Sequence, residues 1–278
     1  MKRTISAFLI IAMSVGLLTS LSACSAGTPS DEVLSSLVAE AVLSDNENGY
    51  YEGECSSEGH KILGSSVSGN ELKVYALTMY GNYGFQNDMF IKVSGSGVIP
   101  AVLTFEKDGE EYRLLDVEYP RDGAEYTKSI KRMFPIKYRS AALHADNAHD
   151  ELKTQEQSYA EAYLESIGRE AVIGEYGDLN AKLLTDVGVS VDVSNQLNSD
   201  INLGEYPFWL GTEEYLKNGI RYVRSTSYDE EAGQIVYHTY EKDTGVVIEC
   251  FVFDAVTGDS LSAGTVVSHM EVAGLPKD

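Results

Sequence analysis

From the N-terminus, the first apolar block is the run 5–18, interrupted only by Ser6, Ser14 and Gly16 and preceded by Lys2 and Arg3. A helix rises about 1.5 Å per residue and needs about 20 apolar residues to cross a bilayer, so this block predicts a signal peptide over 1–23 rather than a membrane span. The next pattern is different. Val33, Leu34, Leu37, Val38, Ala41 and Val42 recur at i, i+3, i+4 spacing, an amphipathic helix that Ser30 or Asp31 can cap. Strand-like segments follow near 60–65, 72–80, 90–93 and 98–106. Asp108-Gly109, between 102–107 and 110–117, predicts a hairpin with a type I′ turn.

The sheet pattern ends at Tyr119-Pro120-Arg121-Asp122-Gly123. Asp122 and Glu125 form a capping-box pattern for a helix carrying Tyr126, Ile130 and Phe134, which Pro135 stops. The stretch 140–150 is small and polar and reads as a linker. A second long helix, near 150–167, sets Leu152, Gln155, Tyr159, Tyr163 and Ile167 along one side, and Gly168 ends it. The region 169–211 shows no clear periodicity. Alternation returns at 220–228, 235–241 and 246–254, a three-stranded meander. The predicted class is α+β, with two helix-plus-antiparallel-sheet units at 31–139 and 151–278. Cystatin-like or nuclear-transport-factor-like topologies are analogies for the first.

The apolar run closes with Leu21-Ser22-Ala23-Cys24, which resembles the lipobox of bacterial lipoproteins. The resemblance implies cleavage after Ala23, acylation (diacylglycerol, palmitate) of Cys24 and anchoring on the extracytoplasmic face of the cell membrane. Residues 24–30, small and polar, then form a tether, and the lipid bilayer is the first expected partner.

Charge sharpens this picture. The chain carries 21 Lys and Arg against 43 Asp and Glu. Residues 1–23 hold two basic and no acidic residues, so the formal net charge of −22 becomes −24 after processing. That surface repels nucleic acid. The acidity is uneven, −7 over 24–145 and −17 over 146–278. Against it, Lys128, Lys131, Arg132, Lys137 and Arg139 stand together without an acid among them, either a docking patch for an anionic group or the solvated face of one helix. With Cys24 acylated, Cys55 and Cys250 remain, as an exported disulfide or as two buried thiols; neither has redox or zinc spacing.

No nucleophile elbow, phosphate loop, HExxH helix or S-x-x-K is present, so no catalytic residue, metal or cofactor is assigned. His144 and His149, with Asp146 and Asp150, are set against a loop metal site and read as linker polarity. The run 254–259, DAVTGD, lacks EF-hand spacing and reads as a hairpin turn, similar to the turn closing PepSY-type peptidase-regulating domains. Eighteen tyrosines leave aromatic contacts as the binding chemistry to weigh. Tyr80, Tyr83 and Phe85 in one apparent loop, and Tyr206, Phe208 and Trp209 in another, are the expected ligand-binding residues.

The runs Ile62-Leu63-Gly64, Val74-Tyr75-Ala76-Leu77, Val93-Ser94-Gly95-Ser96, Ala101 to Phe105, Pro120-Arg121-Asp122-Gly123 and Met133-Phe134-Pro135 together resemble an extracytoplasmic module of Gram-positive bacteria. It is the outer portion of beta-lactam-sensor-type membrane metallopeptidases and of stand-alone lipoproteins. The catalytic HExxH of those sensors has no counterpart here, so the resemblance implies a place and a sensory context and no catalytic residue. The expected function is a membrane-anchored, non-catalytic binding or sensory ectodomain for an envelope ligand, envelope protein or peptidase partner. The alternatives are a carboxylate-dependent hydrolase of cell-wall polymer and a peptidase-regulating or chaperone-like lipoprotein.

Overall fold

The computed structural model describes residues 28–268. The signal peptide at 1–23, Cys24 and the start of the tether lie outside the described residues, as does 269–278. The fold is α+β. Helix α1 (Asp31–Asn46) starts where its cap predicts: the Val33 N–H donates to Ser30 Oγ at 3.4 Å, with Asp31 and Glu32 in the first turn. Its buried stripe is Leu34, Val38, Ala41 and Val42.

That stripe lies on one face of an antiparallel sheet centred on β2 (Glu71–Gln86), against Leu72, Val74, Ala76, Tyr80, Leu103 and Phe105. Strand β1 (Cys55–Ser68) pairs with β2 along one edge. The other edge is shared: β4 (Ile99–Asp108) takes 71–78 and β3 (Met89–Gly95) takes 81–86, while β5 (Glu111–Glu118) continues from β4. The β4–β5 turn differs from the I′ expectation. Asp108 pairs with Glu111, so the central residues are Gly109 and Glu110, and only Gly109 has positive φ, which is the II′ pattern. The I′ turns fall at Asn87-Asp88 and Asn218-Gly219, where both residues have positive φ.

The opposite face is covered by α2 (Tyr126–Met133), α3 (Ile136–Leu143) and α4 (His149–Ser166). Ile130, Met133, Phe134 and Ala142 meet Tyr75 and Val102; Ala145, Ala148 and Leu152 meet Leu77 and Met79. Two expectations are corrected here. Asp122 begins a short 3-10 turn (Gly123–Glu125) without a side-chain cap bond. The stretch 140–150 is not a linker: it contains the end of α3, a 3-10 turn (Ala145–Ala148) and the start of α4. Helix α4, assigned to the second unit from its position in the chain, packs on the first sheet. Its buried stripe is Leu152, Glu156, Ala160 and Leu164, one residue round from the tyrosine-bearing side, so the first unit extends to the end of α4.

Beyond Gly168 the chain adds β6 (Ile173–Glu175), parallel to β3, and β7 (Lys182–Leu183), beside β8. Helix α5 (Val191–Asn198), capped by Ser190, covers a meander of five strands rather than three: β8 (Trp209–Lys217), β9 (Ile220–Asp229), β10 (Gln234–Glu241), β11 (Val247–Asp254) and β12 (Ser260–Ser268). Val193 and Leu197 of α5 pack there with Tyr206, Ile235, Tyr237 and Phe253. The two sheets meet where Gln86 pairs with Glu213, reinforced by Asn87 N–H to Thr212 O at 3.0 Å and Thr212 N–H to Asn87 Oδ1 at 2.8 Å.

Candidate functional site

Strand β1 is an outer strand, and an outer strand needs cover for its free backbone groups. Helix α4 supplies it. The two backbones approach so closely that a Cβ on Gly59 would lie 2.3 Å from Leu152 O. The His60 N–H donates to Gln155 Oε1 at 2.9 Å. With α1 on the neighbouring face, this leaves an open cleft of about 410 Å³ between the two helices, lined by Ser35, Ser36, Glu58, His60, Gln155 and Ser158.

Three of these residues form a relay. Ser35 Oγ lies 2.9 Å from His60 Nε2, and His60 Nδ1 lies 2.9 Å from Glu58 Oε2. Glu58 and His60 are two apart on β1 and share a face; Ser35 comes from the second turn of α1. The Glu58 side chain is 3% exposed and the His60 side chain 10%. Tyr159 OH donates to the other Glu58 oxygen at 3.0 Å, so the carboxylate is held at both ends. A carboxylate only accepts hydrogen bonds, so a neutral His60 keeps its proton on Nδ1 and turns the Nε2 lone pair toward the Ser35 hydroxyl. Burial, followed by the charge of Glu58 and the bond to it, pushes the Tyr159 hydroxyl above its ordinary range, which keeps it a donor.

A second cavity of about 440 Å³ lies between β1 and α3, with Lys61, Lys137, His144 and Asn147 in its wall. Only Lys137 of the predicted basic patch reaches it, and its ammonium sits 4.5 Å over the Tyr138 ring. Lys128 pairs with Glu125 at 3.2 Å, Arg132 with Glu118 at 2.9 Å, and Arg139 donates to Phe134 O, while Lys131 is exposed. The five residues span two helices broken at Phe134-Pro135, and two of them are paired with acids, Lys128 with Glu125 three residues before it and Arg132 with Glu118 on β5. Neither cavity brings two carboxylates together.

The expected aromatic contact surface is corrected by burial. Tyr80, Tyr83 and Phe85 are interior residues of β2, and the apparent loop is strand covered on both sides. Of its two glycines, Gly81 has little room for a side chain, since a Cβ there would sit 2.8 Å from Lys92 Cε. Tyr206 and Trp209 are also buried; Phe208, 53% exposed, stacks on Tyr176 with centroids 6.4 Å apart.

The alternative of a Cys55 to Cys250 disulfide is likewise corrected. Both are free thiols, Cys55 on β1 under α4 and Cys250 on β11 of the other sheet. Burial, with the Glu54 charge adding to it, pushes the Cys55 thiol up to about 12, so it is inert. Among the described residues no cluster of His, Cys, Asp and Glu could hold a metal; His144 Nδ1 faces Ser140 O and His149 Nδ1 faces Asp150. The run 254–259 is a hairpin turn, with Asp254 Oδ1 accepting from Val256 and Thr257 N–H groups.

A second ionic assembly sits at the junction of the sheets. Arg169 makes a bidentate pair with Glu214 at 2.6 and 2.7 Å, and Arg221 does so with Glu54 at 2.5 and 2.9 Å. Arg221 also reaches Glu214 at 3.1 Å, Lys242 pairs with Glu214, and Tyr163 OH donates to Glu54 at 2.9 Å. Both guanidiniums lie over the Phe85 ring, Arg169 at 3.5 Å and Arg221 at 5.0 Å. Burial works to raise the Glu214 pKa, but hydrogen bonds and charge from Arg169 and Lys242 override it and hold the carboxyl below its ordinary value. Arg169, Arg221, Lys242 and Tyr163 all donate to Glu54 or Glu214, which makes it a clamp.

Comparison of the chain with family models, with curated proteins and with solved structures finds no match. Ser35, Glu58 and His60 therefore stand on geometry alone. The one local signal in the sequence is Glu58-x-His60 at strand spacing; nothing near it points to Ser35, which lies 25 residues from His60.

Proposed function

We propose that the chain is a lipid-anchored extracytoplasmic ectodomain, held at the cell membrane by acylated Cys24, that engages an envelope ligand or partner protein in the cleft between α1, β1 and α4. The observation that carries this reading is the Ser35–His60–Glu58 relay on the cleft wall, polar groups oriented by a buried carboxylate and by Tyr159. Concave sites that place a few convergent polar groups by such support are what ligands use. The lipobox-like run 21–24 supports the address, and the resemblance to sensor ectodomains supports an envelope-sensing context. The net charge of −24 after processing favours a neutral or cationic ligand and disfavours nucleic acid.

Two measurements in cells test it. Fatty-acid labelling should be lost in Cys24→Ala; unchanged labelling removes the anchor. A benzophenone amino acid at Ala39, in the cleft, should form an adduct that Ser36→Trp abolishes, whereas the same probe at Val191 should not form it. An adduct insensitive to Ser36→Trp would place the contact elsewhere.

A further inference from the structure

We propose that the cleft performs acyl chemistry: Ser35 is a nucleophile, His60 its general base and Glu58 the residue that positions His60, in the transfer or hydrolysis of a neutral acyl ester. This rests on the cleft being the working site and names its substrate class. The three requirements for an activated serine are a base within hydrogen-bond reach of the hydroxyl, a third group fixing the tautomer and orientation of that base, and space for a substrate. Ser35 to His60 and His60 to Glu58 are both 2.9 Å, and the open volume of about 410 Å³ adjoins all three side chains. Glu58 is itself fixed by Tyr159, and the His60 backbone by Gln155, so α4 supports both the carboxylate and the strand that carries the ring.

The chemistry balances with water as the only co-reactant. Ser35 Oγ attacks the ester carbonyl carbon while its proton passes to His60 Nε2, and Glu58 stabilises the imidazolium formed. The tetrahedral intermediate collapses with cleavage of the carbon–oxygen bond, and the leaving alkoxide takes the proton from His60. Acyl-Ser35 remains. Water then adds to its carbonyl carbon, giving a proton to His60; Ser35 Oγ leaves and recovers that proton, and the carboxylic acid departs. The donors that the same wall offers the intermediate's oxyanion are the Gln155 amide and the Ser36 hydroxyl, since the Ser158 hydroxyl already donates to Thr154 O at 3.0 Å. Each missing donor of a preformed pair lowers turnover by about 10²–10³-fold, so activated esters are the expected substrates and hydrolysis of acyl-Ser35 the slow step.

The test uses the full-length protein in detergent and a fluorophosphonate probe, whose phosphorus takes the place of the ester carbonyl. The expected result is one adduct per chain, located by mass spectrometry on Ser35 and absent in Ser35→Ala. Adduct formation should slow by about 10²-fold or more in His60→Ala. Glu58→Gln should slow it comparably and Glu58→Asp restore part of the rate, each variant being assayed well below its own melting temperature so that lost stability is not read as lost reactivity. 4-Nitrophenyl acetate should give a burst of one nitrophenolate per chain. An adduct on another residue, or equal labelling of Ser35→Ala, overturns the proposal. So does an unlabelled wild type: with the cleft cross-link at Ala39 intact it removes the acyl chemistry alone, and with that cross-link absent it removes the site as well.

Discussion

Replacing Glu214 by glutamine keeps the shape of the side chain and removes its charge, and it should be among the most damaging single changes in the molecule. The Glu214 side chain is 3% exposed and receives Arg169, Arg221 and Lys242. Taking one partner from a buried ion pair costs about 3–5 kcal/mol, because the other charge stays behind without compensation. Here Arg169 and Lys242 are 22% and 32% exposed and regain some water, which puts the expected loss at the lower end, about 3 kcal/mol. At a urea slope of about 3 kcal/mol per molar, the midpoint should fall by about 1 M. Added salt should barely change the difference, since screening acts on exposed pairs. The sign with pH is fixed by the direction of the Glu214 shift. A carboxyl held below its ordinary value contributes fully above that value and loses its contribution as pH falls through the folded-state pKa, so wild type and variant should converge in acid. Glu214→Leu combined with Arg169→Met should recover part of the loss. A midpoint change under about 0.2 M, the scale of a solvated surface pair, would refute the clamp.

Two further outcomes follow from close approach and from unmet hydrogen bonding. Gly59→Ala drives a Cβ into the Leu152 backbone, so it should cost about 1–3 kcal/mol and expose α4 amides to hydrogen exchange; unchanged protection in α4 would mean the helix does not seal β1. His238 is buried on β10 with neither ring nitrogen bonded, and burial lowers its pKa. His238→Phe should therefore stabilise the protein by about 1–3 kcal/mol, and by more as pH falls through the ordinary histidine range, where the unfolded chain alone gains the proton; a loss of stability refutes it.

Elements governed by local rules were legible in the sequence. Ser30 and the i, i+3, i+4 stripe define α1, and the alternating strands of the meander are where their pattern puts them. What depended on distant partners was not. Gly81, Asn82 and Gly84 read as turn residues, yet β2 runs straight through them because β3 pairs with all three and β1 with the first two. Helix α4 shows tyrosines on one side, while the side it buries includes Glu156, whose charge disguises it as surface. Lys92 meets that carboxylate at 2.9 and 3.0 Å, and burial still pushes it up to about 7 against the lysine's pull. The relay was hidden for the same reason. Glu58 and His60 show their common face only once β1 is known to be a strand, and Ser35 lies beside an apolar stripe that accounts for its helix without it.

The pairing of Glu54 with Arg221 spans 167 residues. Closing so long a loop is entropically expensive and slow, so contacts of this separation form late. Synthesised N-terminus first, the chain can pair β1 to β5 locally and then bring α4 onto β1, Tyr159 and Glu58 being 101 residues apart, before the later strands are available. Glu54 then waits, solvated, until β8 and β9 arrive with Glu214 and Arg221. The clamp is thus a checkpoint in time: the junction closes only when the chain through β9 is present, and a chain truncated before Arg221 would leave Glu54 without its guanidinium.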